Sequence, residues 1–311
     1  MSASHTRLTP ATAALLLAPP LLWAGNAVVG RLMQGSIPPV TFNFVRWLLA
    51  GLMLLPLAAW VLRRDSGLWP QWRRFALLGL LGVGMYNALQ YLALRTSTPI
   101  NVTLVAASLP VWMLLLGRLL YGVPVTRRAA AGALLSLAGV ATVLARGSLS
   151  QLLQVQLVPG DAWMLLATLT WAWYSWLLAR PPEGGYPPRI RADWAAFLLA
   201  QIAFGLCWSG AMTGVEWLNL PASTDARGPV AWGWPLALAL AYVAIGPSLV
   251  AYRCWGLGVS RVGPTVASFF NNLTPLFAAL MSATLLGEPP RLYHAAGFAL
   301  IVGGILVSSR R

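Results

Sequence analysis

The sequence holds 311 residues, 58% of them hydrophobic and 9% charged, and its 21 basic residues outnumber 7 acidic ones to give a formal net charge of +14. A soluble domain carries roughly 25% charged residues, so this charge content, with a mean hydropathy of +0.70, excludes one and points to an integral membrane chain. Two cysteines, Cys207 and Cys254, both inside apolar stretches, exclude a disulfide framework and a metal cluster, and no cofactor is expected.

Taken in chain order, ten apolar stretches approach the roughly 20 residues that cross the hydrocarbon of a bilayer. The first, 11–30, follows a short, weakly basic leader, is longer than a signal-peptide core and is read as retained; it carries Trp23 and Asn26 on one helical face. The second, 39–62, contains Arg46, and the third, 75–94, presents Tyr86 and Gln90 four apart with Asn87 beside them. Ser108 and Pro110 lie in the fourth, 99–121, and Gly132 and Gly139 in the fifth, 128–145. The sixth, 161–179, carries Trp171 and Tyr174; the seventh, 193–213, is almost wholly apolar; the eighth, 232–257, holds Tyr252, Arg253 and Trp255. The ninth, 264–286, contains Asn271, Asn272 and Pro275, and the tenth, 292–308, carries Gly297 and Gly304. Trp69, Trp72, Trp232 and Trp234, near span ends, read as interfacial anchors. The segment 214–230, with its Pro, Gly and Ser, reads as a flexible cover.

Every basic residue is arginine, and the arginines divide unevenly between alternate loops. Fourteen fall on the side of the termini and five on the other, while Arg46 and Arg253 lie within spans. The positive-inside rule therefore puts both termini in the cytoplasm. Arginines scattered in this way form no basic stripe with interleaved aromatics, so a nucleic-acid partner is excluded and the lipid bilayer is the expected surroundings.

Residues 92–146 superpose on 257–311 without gaps, matching six Gly or Pro positions, among them Pro110 on Pro275, Gly132 on Gly297 and Gly139 on Gly304. Chance at one fixed offset gives about 0.8. Trp23 in LLWAGNAVVGR aligns more loosely with Trp171 in LTWAWYSWLLAR. Each half then holds five spans, 1–146 and 147–311, and because five is odd the second copy enters the bilayer from the opposite side. The expected fold is all-α, with ten transmembrane helices in two inverted five-helix repeats.

The stretches LLWAGNAVVGR, PPVTFNFVRWLLAG, ASLPVWMLLLGRLLYGVP and NNLTPLFAALMSATLLGEPP make the chain similar, over essentially its whole length, to the EamA-type branch of the drug/metabolite transporter superfamily. The last two correspond to that branch's paired "L-P then G-E-P" elements, although the first copy has Val123 where the second has Glu288. Within the superfamily the chain looks like the bacterial amino-acid exporters. The resemblance implies outward movement of amino acids across the bacterial inner membrane, and an aromatic pocket residue at Trp171.

Proline lacks an N–H, so Pro275 leaves the carbonyl of Asn271 free and Pro110 that of Ala106. Asn271 and Asn272 lie on the order of 11 Å into the membrane, and with Ser108 they are expected to line a central site, or alternatively to bond between helices as packing. Trp23, Asn26, Tyr86, Asn87, Gln90, Trp171 and Tyr252 complete the candidate lining. Arg46 and Arg253 are candidate partners for a substrate carboxylate, but each lies within about two turns of a span end, and the sequence favours snorkelling. All seven acids map to loops or span ends, which speaks against a buried-carboxylate proton coupling and for a zwitterionic or neutral solute. Too few histidines and no clustered carboxylates remain to assemble an enzyme's catalytic centre. A phosphorylated sugar or nucleotide sugar, and a non-transporting membrane scaffold, stay open as alternatives. The glycine pairs of the fifth and tenth spans, seven apart, fit packing within a monomer or a dimer face.

Overall fold

A computed structural model describes residues 8–97, 99–145, 148, 156–219, 230–286 and 292–309. The expectations for Gly287, Glu288 and Pro289, for the cover segment over 220–229, for His5, and for Arg7, Arg146, Arg227, Arg291, Arg310 and Arg311 lie outside them.

The helices are α1 (Pro10–Leu32), α2 (Pro39–Ala58), α3 (Trp72–Leu78), α4 (Tyr86–Thr96), α5 (Pro99–Ala106), α6 (Leu109–Tyr121) and α7 (Arg127–Leu144). After them come α8 (Pro159–Ala179), α9 (Pro188–Ala192), α10 (Trp194–Leu218), α11 (Trp234–Val243), α12 (Ala251–Asn271), α13 (Thr274–Leu286) and α14 (Leu292–Ser309). Local chemistry sets their starts. Thr9, Thr126 and Asp193 cap α1, α7 and α10 by accepting from Thr12 N, Ala129 N and Ala195 N, and Pro10, Pro39, Pro159 and Pro188 occupy first turns where the missing N–H costs nothing.

Eight helical segments among the described residues are long and apolar enough to cross a membrane. The two expected spans outside that set are both present as helix. The sixth, α8, is diluted by Trp, Tyr and Thr, and the ninth is divided at residues 272–273 between α12 and α13. The eighth and ninth spans meet at Gly263, whose φ of 83° suits a residue without Cβ.

The third and eighth spans each contain a π-helix, Gly79–Met85 between α3 and α4 and Ala244–Val250 between α11 and α12. These two segments are 165 residues apart, and so are α6 and α13, and α7 and α14. The duplication therefore reaches further upstream than the Gly and Pro matches alone indicate. It is also inverted. In α7 and α14, Gly132 lies against Gly304 and Gly139 against Gly297, so equivalent helices run antiparallel. A Cβ built on Gly139 would stand 2.8 Å from the carbonyl oxygen of Gly297, and one on Gly132 2.8 Å from that of Gly304. The glycine stripe is used within the chain.

The second and seventh spans form the matching antiparallel seam. Glu216 of α10 caps the N-terminus of α2, accepting from Val40 N at 3.0 Å, Thr41 N at 2.8 Å and Thr41 Oγ1 at 2.8 Å. At the opposite end Trp60 Nε1 donates to Asp193 Oδ2 at 3.2 Å, and Arg74 of α3 donates to the carbonyls of Leu177 and Arg180 at the C-terminus of α8, where a cation complements the helix dipole.

The prolines break their spans outright. Pro110 and Pro275 sit in the first turns of α6 and α13, after α5 has ended at Ala106 and α12 at Asn271. The turns tighten as they end, with Ser108 N donating to Val105 O at 3.1 Å and Asn272 N to Phe269 O at 3.2 Å.

Candidate functional site

Between the repeats lies a buried polar cluster built on Arg46. Its side chain is 0% exposed, which corrects the expectation that it snorkels: residue 46 is seven positions into α2 and faces the bundle. The guanidinium donates from Nη1 to Asn26 Oδ1 at 3.0 Å and Tyr91 OH at 2.8 Å, and from Nε and Nη2 to Ser248 Oγ at 3.0 and 2.7 Å. Tyr91 OH also donates to Asn26 Oδ1 at 2.7 Å. Asn26 Nδ2 reaches Gln90 Oε1 at 3.4 Å and Asn87 Oδ1 at 3.5 Å. Every recorded partner of Arg46 is neutral.

An aromatic cluster adjoins it. Trp171 is the hub, with ring centroids 4.8 Å from Tyr86, 4.9 Å from Tyr174, 5.1 Å from Trp23, 5.2 Å from Tyr252 and 5.6 Å from Trp255. Trp47 joins through Tyr252 at 4.8 Å, and its ring lies 5.4 Å from Arg46 Cζ. The repeat sets the two halves apart in character. The positions of Asn87 and Gln90 in the first copy correspond to Tyr252 and Trp255 in the second, so one side of the centre is amide and the other aromatic.

The π-helices explain how polar groups come to meet at this depth. A π-turn releases backbone carbonyls from the regular ladder, and in both copies the same one is taken by a side chain of the other repeat. Tyr252 OH donates to Gly82 O, and Trp23 Nε1 to Pro247 O at 3.2 Å. Asn43 Nδ2 donates to Val83 O at 3.0 Å, and Ser248 Oγ to Val243 O at 2.8 Å. Gly82 is needed at this crossing, since a Cβ there would stand 2.7 Å from the ring of Tyr174.

A vestibule of 340 Å³ leads to the cluster, lined by Gly30, Gln34, Ile37, Phe42, Arg95 and Glu216 among others, with Tyr91 at its inner wall. A neighbouring, more apolar cavity of 540 Å³ lies between α4 and α10 and shares Arg95 and Glu216 with it. Both lie at the end of the bundle that holds residues 33–38 and 216–219.

The structure thus brings together Trp23, Asn26, Arg46, Tyr86, Asn87, Gln90, Trp171 and Tyr252 from the sequence-selected set. Others take different surroundings. Asn272 Nδ2 donates to Ser136 Oγ on α7 at 2.9 Å, an interhelical bond of the packing kind. Ser108 Oγ donates to Val105 O at 2.6 Å and accepts from Trp112 Nε1 at 2.9 Å, and Asn271 is buried at the end of α12. These three follow the broken spans rather than the guanidinium. Arg253 is exposed, with its Cζ 4.5 Å from the ring of Trp194 at the start of α10, apart from the Arg46 cluster. Sequence reasoning missed Asn43, Trp47, Tyr91 and Ser248. For the first two a signal existed, since Asn43, Arg46 and Trp47 recur at helical spacing on α2.

Comparison with known proteins agrees with this architecture. A family model described as "EamA-like transporter family" matches residues 11–145 and 158–310, once per repeat. An uncharacterized transporter from Archaeoglobus fulgidus is 26% identical over 293 residues, 94% of each chain. The "Aromatic amino acid exporter YddG" of Ancylobacter novellus is 25% identical over 295 residues, 93% of each chain. One solved structure shares the fold with a TM-score of 0.69 at 22% identity, over 97% of both chains.

Proposed function

The chain belongs to the EamA-like transporter family, and from that premise we propose that it exports amino acids by alternating access, holding the substrate carboxylate at Arg46 and the side chain against the aromatic cluster. One observation carries this reading: a fully buried guanidinium whose recorded partners are the neutral Asn26, Tyr91 and Ser248. A buried charge without a countercharge is costly, and a carboxylate bound bidentately is the natural complement of the fork. The aromatic faces offer the rest of an amino acid an apolar wall and its ammonium a cation–π contact. A relative named for aromatic amino acid export at 25% identity supports the same class.

A vestibule of 340 Å³ falls within the range of ligand pockets and ends on Tyr91, itself bonded to Arg46. On the topology read from the arginines it opens to the outside, with Trp171, Trp47 and Arg46 packed closed at the centre behind it. Among the described residues, Asp161, Asp193 and Glu216 cap helix ends and none stands at mid-span, which favours transport down the substrate gradient without proton coupling. A phosphorylated solute would call for several cations where the cluster has Arg46.

Uptake and counterflow of labelled amino acids in proteoliposomes test the proposal. Saturable flux of aromatic and other neutral amino acids is expected, insensitive to an imposed pH gradient. Arg46→Lys, which keeps charge but loses the fork, is expected to cut flux at least tenfold at equal reconstitution. Absence of amino-acid flux in the parent protein, or full flux in Arg46→Gln, contradicts the reading.

A further inference from the structure

Three buried polar atoms in and beside the cluster have no hydrogen-bond partner: the indole nitrogens of Trp47 and Trp171, and the amide oxygen of Asn43. The residues are 0%, 1% and 0% exposed, and buried polar atoms are seldom left in that condition without a reason. They belong to one place. Asn43 and Trp47 are one helical turn apart on α2, and the rings of Trp47 and Trp171 pack on Tyr252 with centroids at 4.8 and 5.2 Å. The neighbouring indoles are satisfied, Trp23 on Pro247 O and Trp255 on Ser175 Oγ, so the free N–H groups are not a general property of this packing.

With the Arg46 guanidinium already bonded to Asn26, Tyr91 and Ser248, the centre adds to its positive charge two uncommitted indole N–H groups, against one unpartnered acceptor, Asn43 Oδ1. The carbonyls released by the π-helices are each already engaged by one donor, Tyr252 on Gly82 O and Trp23 on Pro247 O. A carboxylate is acceptor-only and fits such a set. An ammonium carries three donors and finds one acceptor and ring faces.

We infer that this site, if it is the substrate site argued above, takes the carboxylate as its obligatory recognition element and tolerates loss of the amino group. The ligand class is then hydrophobic and aromatic carboxylate anions, of which amino acids are one kind, and Trp47 and Trp171 are binding residues through their N–H groups.

The test is calorimetric binding to the full chain in lipid nanodiscs of three compounds with one side chain: L-phenylalanine, 3-phenylpropionate, which lacks the amine, and phenethylamine, which lacks the carboxylate. The expected result is comparable affinity for the first two and no binding of the third. Trp47→Phe and Trp171→Phe keep a ring and delete one donor, and each is expected to weaken 3-phenylpropionate roughly tenfold. Binding of phenylalanine without 3-phenylpropionate overturns the inference and leaves the amino-acid reading standing, whereas binding of phenethylamine as tightly as either overturns the inference together with the carboxylate's place at Arg46. Binding of 3-phenylpropionate without phenylalanine does the reverse, and silence from all three removes both. Unchanged affinity in both Phe variants removes the indoles from the site.

Discussion

A guanidinium held only by neutral groups depends on each of them, and the hydroxyl of Ser248 carries the largest share of Arg46, accepting from both Nε and Nη2 while donating to Val243 O. Ser248→Ala should therefore lower unfolding stability by about 1–3 kcal/mol, read as a fall in melting temperature in detergent, and should weaken substrate binding because the fork loses its orientation. Stability unchanged from the parent would mean that water replaces the hydroxyl and that the cluster is wetter than its burial indicates. Half of this cluster was legible in the sequence. Trp23 with Asn26, and Tyr86 with Gln90, announce themselves by helical spacing inside apolar runs. Ser248 does not, since it is one small hydroxyl after a proline, and its aim depends on a π-turn whose extra residue rotates the rest of the helix by about 100°. Arg46 was legible as a charge within a span but not as a buried one, because distance from a span end is readable along the chain while the facing neighbour is not.

At the scale of elements, two antiparallel seams join the repeats by different means. The α7–α14 seam is a backbone contact, and neighbouring glycines on α14 separate its effect from that of helix propensity. A Cβ on Gly304 would lie 2.7 Å from Gly132 O and 3.0 Å from Ser136 N, whereas nothing lies within 4 Å of one on Gly303. Gly304→Ala should destabilise by about 1–3 kcal/mol through overpacking, and Gly303→Ala should be neutral or stabilise by up to about 1 kcal/mol. Thermal unfolding of the two variants side by side checks the sign, and equal behaviour would place the seam elsewhere. The α2–α10 seam is instead fastened at its ends by side chains, Glu216 on the α2 N-terminus and Trp60 on Asp193. Water can replace such bonds when a vestibule opens. The helices themselves were readable from hydropathy, and the glycine seam from its period. The prolines at 110 and 275 marked true breaks, but the polar groups beside them stand apart from the guanidinium: Asn272 bonds Ser136, and the backbone that opens beside Arg46 is that of the π-helices, whose local signs are Gly79, Gly82, Gly84, Gly246 and Pro247.

For the whole molecule, the face to which the vestibule opens identifies the state described, and the inverted repeat does not decide that face, because a pseudo-twofold in the membrane plane makes the two faces alike in fold. Charge is the argument for one orientation: fourteen arginines on the side of the termini against five on the other lead us to propose residues 33–38 and 230–234 outside and the segment 180–187 inside. The inner segment is also tied to the bundle, with Arg74 donating to Tyr186 OH at 3.2 Å; burial pushes that phenol above its ordinary value, and the guanidinium partly offsets the rise. Single cysteines placed at the exposed positions Trp232 and Glu183, in a chain whose Cys207 and Cys254 have been replaced by alanine, report the two faces. In intact cells a membrane-impermeant maleimide should label Trp232→Cys and spare Glu183→Cys, and permeabilisation should bring the second up to the first. The opposite pattern would turn the vestibule toward the cytoplasm and make the described state one that loads substrate, and labelling of both in intact cells would break the span count on which the inversion depends.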